Sequence, residues 1–173
     1  KGQASFLSSF LELEQTNSVH LQRLKGVTII LAGACDGNQT YCDEVVRLSE
    51  SVNQEGNIRI ELAGVLDEKA LAHLYASSIG VVSFSHVDCN PRTIYEGLIT
   101  NSPFFVTRST RLSPLVRHLG HTVDEDRSVV EQLANFADFS VAGGFLHDPR
   151  DFANVHVTEA EVYRKMVQWT DHA

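Results

Sequence analysis

Residues 79–107 read IGVVSFSHVDCNPRTIYEGLITNSPFFVT, and this stretch decides the fold. Ile79 to Phe84 is a short apolar run, suited to a strand buried on both faces. A polar loop, Ser85 to Asn90, follows. Asn90-Pro91 then reads as a helix start. Asparagine caps free N–H groups, and proline at the first helical position forfeits only an N–H that would be unpaired. The helix is expected from Pro91 to about Thr100, and Pro103 to Thr107 is the next strand. Strand, helix, strand in this order joins two parallel strands through a crossover.

The same alternation extends in both directions. Gln3 to about Gln15 carries Phe6, Leu7, Phe10, Leu11 and Leu13 mostly three or four apart, as on one helix face. Val27 to Ala32 is a β-branched strand ending at Gly33. A helix follows from about Tyr41 to Asn53, with Gly56 as its stop. Asn57 to Ala63 alternates as a strand and closes at Gly64-Val65-Leu66, and Asp67 caps a helix carrying Leu71, Leu74 and Tyr75. Downstream, His121 to Val123 is a short strand, and Ser128 to about Phe136 and Glu159 to about Trp169 are helices. Phe139 to His156 is the least regular region, with Gly143-Gly144 as a turn. The expected fold is α/β: a Rossmann-like, doubly wound parallel sheet in a single domain. A chain of 173 residues supports one such core and not two. Ligands of this architecture bind at the carboxyl ends of the strands, which directs attention to the loop after Phe84.

Composition narrows the function classes. With 43% hydrophobic and 21% charged residues the chain is a globular domain, and a net charge of −8 disfavours adhesion to nucleic acid through a basic face. No apolar run approaches the roughly 20 residues that span a bilayer, and no charged-then-apolar leader opens the chain. The start at Lys1-Gly2-Gln3, without Met, reads as that of a fragment or processed chain. A cytoplasmic location, or the cytoplasmic face of a membrane, is expected for the whole protein. Cys35, Cys42 and Cys89 are odd in number and form no CxxC pair, so they read as reduced thiols. Asn38-Gln39-Thr40 is a formal glycosylation sequon.

The chemistry concentrates between Ser85 and Gly97. The start of the helix after Asn90 carries partial positive charge and free donors, and Arg92 adds a formal charge, so a phosphate suits it. Asp88 precedes the cap and Glu96 lies further into the helix. A carboxylate accepts two hydroxyls of a vicinal diol. Glu96 is therefore a candidate for a ribose diol and Asp88 for the hydroxyls of a transferred sugar; against this, acids on helix surfaces are usually only solvated. His86, Asp88 and Cys89 suit zinc by type but lack a fourth ligand at useful spacing, so no metal is expected. His118 and His121 accompany no nucleophile motif and read as surface histidines. No G-x-G-x-x-G or P-loop occurs. Val162, Tyr163, Met166 and Trp169 read as a helix face docking on the domain.

An acid, seven intervening residues and a glutamate on a helix after an apolar strand, here Asp88 to Glu96, resembles the donor-site motif of the group 1 retaining glycosyltransferases of GT-B fold. Gly97 to Thr107 resembles that family's helix end, turn and following strand. Asn57 to Gly64 resembles its strand ending in glycine, and Lys1-Gly2 the pair that begins the domain's first helix. The likeness runs from Lys1 to about Val116. It implies the C-terminal, donor-binding domain over residues 1–173, with the first strand and the facing domain missing. It further implies a nucleotide sugar, with a UDP, GDP or ADP moiety, as donor substrate and no cofactor. By the same likeness Glu96 would bind the ribose, and Gly64, Val65 and Leu66 would border the base. Lys1, Asp88, Cys89, Asn90, Pro91 and Arg92 would lie near the sugar and diphosphate, with no catalytic residue assigned.

The sequence departs from the family's pattern. Asp88 stands where glutamate is commoner, and Cys89-Asn90-Pro91-Arg92 replaces a glycine-rich stretch. Arg108 to Ser113 stands where glycines and an acid are usual, and no function is carried onto it. Three readings stay open: retaining transfer of a hexose from a nucleotide sugar, with possible membrane association of the whole protein; a non-catalytic nucleotide-sugar-binding or assembly module with a degenerate site; and a sugar epimerase of the same overall fold.

Overall fold

The structure, a computed structural model, describes residues 2–14, 19–34, 38–85, 88, 91–124 and 126–143. The expected helix at Glu159 to Trp169 and its apolar face lie outside them. Helix α1 (Gln3–Glu14) and the short α2 (Val19–Arg23) lead into strand β1 (Thr28–Ala32). Helix α3 (Gln39–Glu55) connects β1 to β2 (Arg59–Gly64), and α4 (Glu68–Ser77) leads on to β3 (Val81–Ser83). Then come α5 (Arg92–Ile99), β4 (Phe104–Val106), α6 (Pro114–Arg117), β5 (His121–Thr122) and α7 (Val129–Val141).

Local chemistry sets the helix ends. Asn38 caps α3 by accepting from the Tyr41 N–H, so the sequon asparagine serves as a helix cap. Gly56 ends that helix at φ 75°, the left-handed conformation that glycine adopts without a Cβ penalty. Asp67 caps α4 as expected, accepting from the Ala70 N–H at 2.7 Å.

All described strand pairs are parallel, as a doubly wound fold requires. The α/β, Rossmann-like architecture is found, and among the described residues its strands pair in two groups, β1-β2 and β3-β4-β5. No described strand bonds the outer edge of β1 or of β3, so each sheet stops there. The outer edge of β2 is closed differently. The Asn53 side chain donates to the Ile60 carbonyl at 2.9 Å and accepts from its N–H at 2.6 Å, imitating a neighbouring strand.

Both sheets feed one core. Ile29, Leu31 and Ile60 from the first sheet and Val82 and Phe105 from the second meet the apolar faces of α1, α2, α3 and α7. A row of rings crosses this core: Phe6 to Phe84 at 4.4 Å, Phe84 to Phe105 at 5.7 Å and Phe105 to Phe136 at 5.4 Å. On the opposite face, Val81, Phe104 and Val106 pack with Tyr75 of α4, Ile94 and Leu98 of α5 and Val116 of α6. Alternation along β3 and β4 thus buries both faces of that sheet, which is why these strands read as continuous apolar runs. Arg23 and Asp138 form an ion pair that fastens α2 to α7.

The reading of three reduced thiols is corrected. Cys42, buried in the first turn of α3, is disulfide-bonded, with its partner outside the described residues. Pairing follows from spatial approach, which linear spacing does not report.

Candidate functional site

The site is built where β3 ends. Beyond the strand, Asp88 forms a parallel bridge with Thr110, and its carbonyl accepts from the Arg111 N–H at 2.9 Å. The turn after β4 adds to this hold. Thr107 Oγ1 and Ser109 Oγ both donate to the Ser85 carbonyl, at 2.7 and 2.8 Å. Thr110 is fully buried, and its carbonyl accepts from the Arg117 guanidinium, which also donates to Thr122 Oγ1 at 3.2 Å. Asp88 is thereby fixed in position by backbone pairing with the very segment onto which the sequence carried no function.

Helix α5 opens at Arg92, four residues after Asp88. Proline was expected as the first helical residue; Pro91 is instead the cap, because its ψ of 71° lies outside the helical range. It makes no side-chain cap bond, and its ring is fully buried. Its carbonyl accepts from the Ile94 N–H at 3.0 Å. Among the described residues nothing accepts from the N–H groups of Arg92 and Thr93. Arg92 is exposed beside them. The arrangement is a helix start with two spare donors and a guanidinium, suited to an oxyanion.

The start of α1 reaches the same strand end. Gly2 is buried so tightly against Phe84 that a Cβ there would lie 1.6 Å from the Phe84 carbonyl oxygen. Only glycine allows this approach. Lys1, Cys89, Asn90 and His86, all singled out in the sequence, lie outside the described residues.

Glu96 is half-buried on α5. Its Oε2 accepts from the Tyr75 hydroxyl of α4 at 2.9 Å. The adjacent Gly97 lies on β3, where a Cβ would meet Val81 Cγ2 at 2.7 Å. Glu96 is therefore carried on a helix pressed closely to the strand that delivers Asp88. Burial, and then the hydrogen bond and charge of Glu96, push the Tyr75 phenol far above its ordinary pKa. Burial alone raises that of Tyr95.

Gly64, Val65 and Leu66 end β2 and lead into the Asp67 cap of α4. Gly64 has φ 63°, and its carbonyl accepts from the Gly33 N–H at 2.7 Å, so β1 and β2 terminate together. Val65 is 75% exposed. Among the described residues no cluster of three metal-ligating side chains occurs, and no helix is long and apolar enough to cross a membrane.

Sequence reasoning missed Tyr75, which reads as one more apolar residue on the face of α4. The available signal was its hydroxyl: a buried phenol needs a hydrogen-bond partner, and Glu96 is the acid of α5. It also missed Thr107 and Ser109, whose shared partner is a backbone carbonyl that no side-chain pattern reveals.

No protein-family model matches the chain, and no curated protein sequence does. The fold matches that of the crystal structure of Anabaena Alr3699/HepE in complex with UDP, with a TM-score of 0.65. The match covers 96% of this chain at 17% identity and 53% of the Anabaena chain, so this chain spans about half that protein's length. At that identity the likeness is one of fold.

Proposed function

We propose that this chain binds a nucleoside diphosphate sugar, as the donor half of a two-domain glycosyltransferase. The observation that carries the reading is the end of β3. There the spare N–H groups of α5, the tightly docked start of α1 and the fixed Asp88 come together, with Glu96 further along the same helix. The residues divide the ligand by charge. The helix start and Arg92 suit the diphosphate. Glu96 suits the ribose diol, and Asp88 the hydroxyls of the donor sugar. Gly64, Val65 and Leu66 suit the base. A structure of like fold in complex with UDP supports a nucleotide as the ligand and puts UDP first among the candidates.

In the whole protein the donor would lose its sugar to an acceptor with retention of configuration. Negative charge then grows on the leaving diphosphate, and donors already aimed at it stabilise that change. The acceptor would enter from a facing domain, since such clefts form between domains. The unpaired outer edges of β1 and β3 accord with a further parallel strand of the domain, as the sequence resemblance implies. The isolated chain is expected to transfer no sugar.

Calorimetric titration with UDP, GDP and ADP tests the reading. One nucleotide should bind, and Glu96→Ala should weaken it about tenfold or more, a loss of roughly 1.4 kcal/mol. Equal affinity in the variant would remove the ribose from Glu96. Binding without turnover of any donor sugar by the longer protein would identify a non-catalytic module instead.

A further inference from the structure

We infer that Tyr75 is a positioning residue for Glu96: its hydroxyl holds one carboxylate oxygen, so that the other faces the ribose. The inference rests on the proposed role of Glu96 and deepens it. Tyr75 is 8% exposed, so its hydroxyl has little access to water. It donates to Glu96 Oε2 at 2.9 Å. Among the described residues nothing donates to Oε1. A carboxylate free at both oxygens rotates; one held at a single oxygen presents the other in a fixed direction. Oε1 keeps both lone pairs and Oε2 keeps one, enough for two hydroxyls of a diol.

Tyr75 is itself held at both ends. Its carbonyl accepts from Ser102 Oγ at 2.9 Å, and the Ser102 N–H donates to the Gly97 carbonyl at 2.8 Å. Ser102 is 2% exposed. The backbone of α4 is thus stapled to the end of α5, and the phenol reaches the middle of α5 from a fixed base. Burial and the neighbouring carboxylate raise the phenol's pKa, so Tyr75 is a neutral donor at physiological pH.

A purely structural bond between α4 and α5 would affect all ligands alike, whereas a positioning bond affects only those with a diol. The test compares UDP with 2′,3′-dideoxy-UDP in four forms of the full chain: unaltered, Tyr75→Phe, Glu96→Ala and Ser102→Ala. The unaltered protein should favour UDP about tenfold or more. Tyr75→Phe should cut that preference at least threefold while changing dideoxy-UDP affinity less than twofold. Ser102→Ala, which removes the side-chain bond of the staple and leaves the phenol on Glu96, should lower the melting temperature and cost the preference less than Tyr75→Phe does. If Glu96→Ala abolishes the preference and Tyr75→Phe keeps it, the inference is wrong and the role of Glu96 stands. The inference also fails if Tyr75→Phe weakens both ligands equally. If the unaltered protein binds neither ligand, or shows no preference between them, the role of Glu96 falls and that of Tyr75 with it.

Discussion

Gly97 of α5 and Val81 of β3 touch across a gap that admits no Cβ: one built on Gly97 would lie 2.7 Å from Val81 Cγ2. The valine is 9% exposed and stiff at χ1, so it has little room to yield. This contact sets the height of α5 above the strand, and with it the place of Glu96.

Gly97→Ala should therefore destabilise the protein despite alanine's better helix propensity. Overpacking costs about 1–3 kcal/mol and propensity returns about 1, leaving a net loss of up to about 2 kcal/mol. Urea denaturation measures this. A stabilised variant would show that α5 can lift off β3 without cost.

Asn53 closes the outer edge of β2 through its paired bonds to Ile60. Asn53→Ala should cost about 1–3 kcal/mol, since it strips partners from both backbone groups of a buried residue. It should also promote self-association, because an unsealed edge offers its amides to another chain. Light scattering at rising concentration reads the second effect, and a variant as monodisperse as the parent would assign Asn53 no protective role.

His121 packs edge-on against Phe136 at 5.5 Å and Phe139 at 4.8 Å, and burial lowers its pKa from 6.5. The unfolded chain therefore takes up this proton at higher pH than the folded one. The stability contributed by neutral His121 is whole above about pH 6.5 and is lost as pH falls through the folded pKa. Denaturation midpoints should drop as pH falls below about 6.5, and His121→Gln should shrink that drop. An unchanged slope in the variant would assign the acid limb to other groups.

What the sequence disclosed was local. The β-branched run at Thr28–Ala32, the Asp67 cap and the Gly56 stop each depend on neighbours a few residues away, and each is found. Helices α2 and α6, of five and four residues, were not foreseen because such lengths show too little periodicity to read. Helix α7 runs on to Val141, past the expected end at Phe136, into a region expected to be irregular. Phe139 lies on that extension and is held by His121, a tertiary contact absent from any local pattern. The site divides in the same way. The spacing of Asp88 and Glu96 is linear and visible; the Tyr75 bond bridges 21 positions, and the disulfide of Cys42 depends on an approach in space.

The row of phenylalanines also bears on how the chain is made. Phe6 and Phe84 are already synthesised when Phe105 emerges, but Phe136, which stacks on Phe105 and completes the row, arrives last with α7. Until then the ion pair of Arg23 with Asp138 has no second member. A nascent chain stalled before Val129 would hold its aromatic core open on one side, and such a surface is what chaperones bind. Closure of the aromatic core therefore waits on a single late helix.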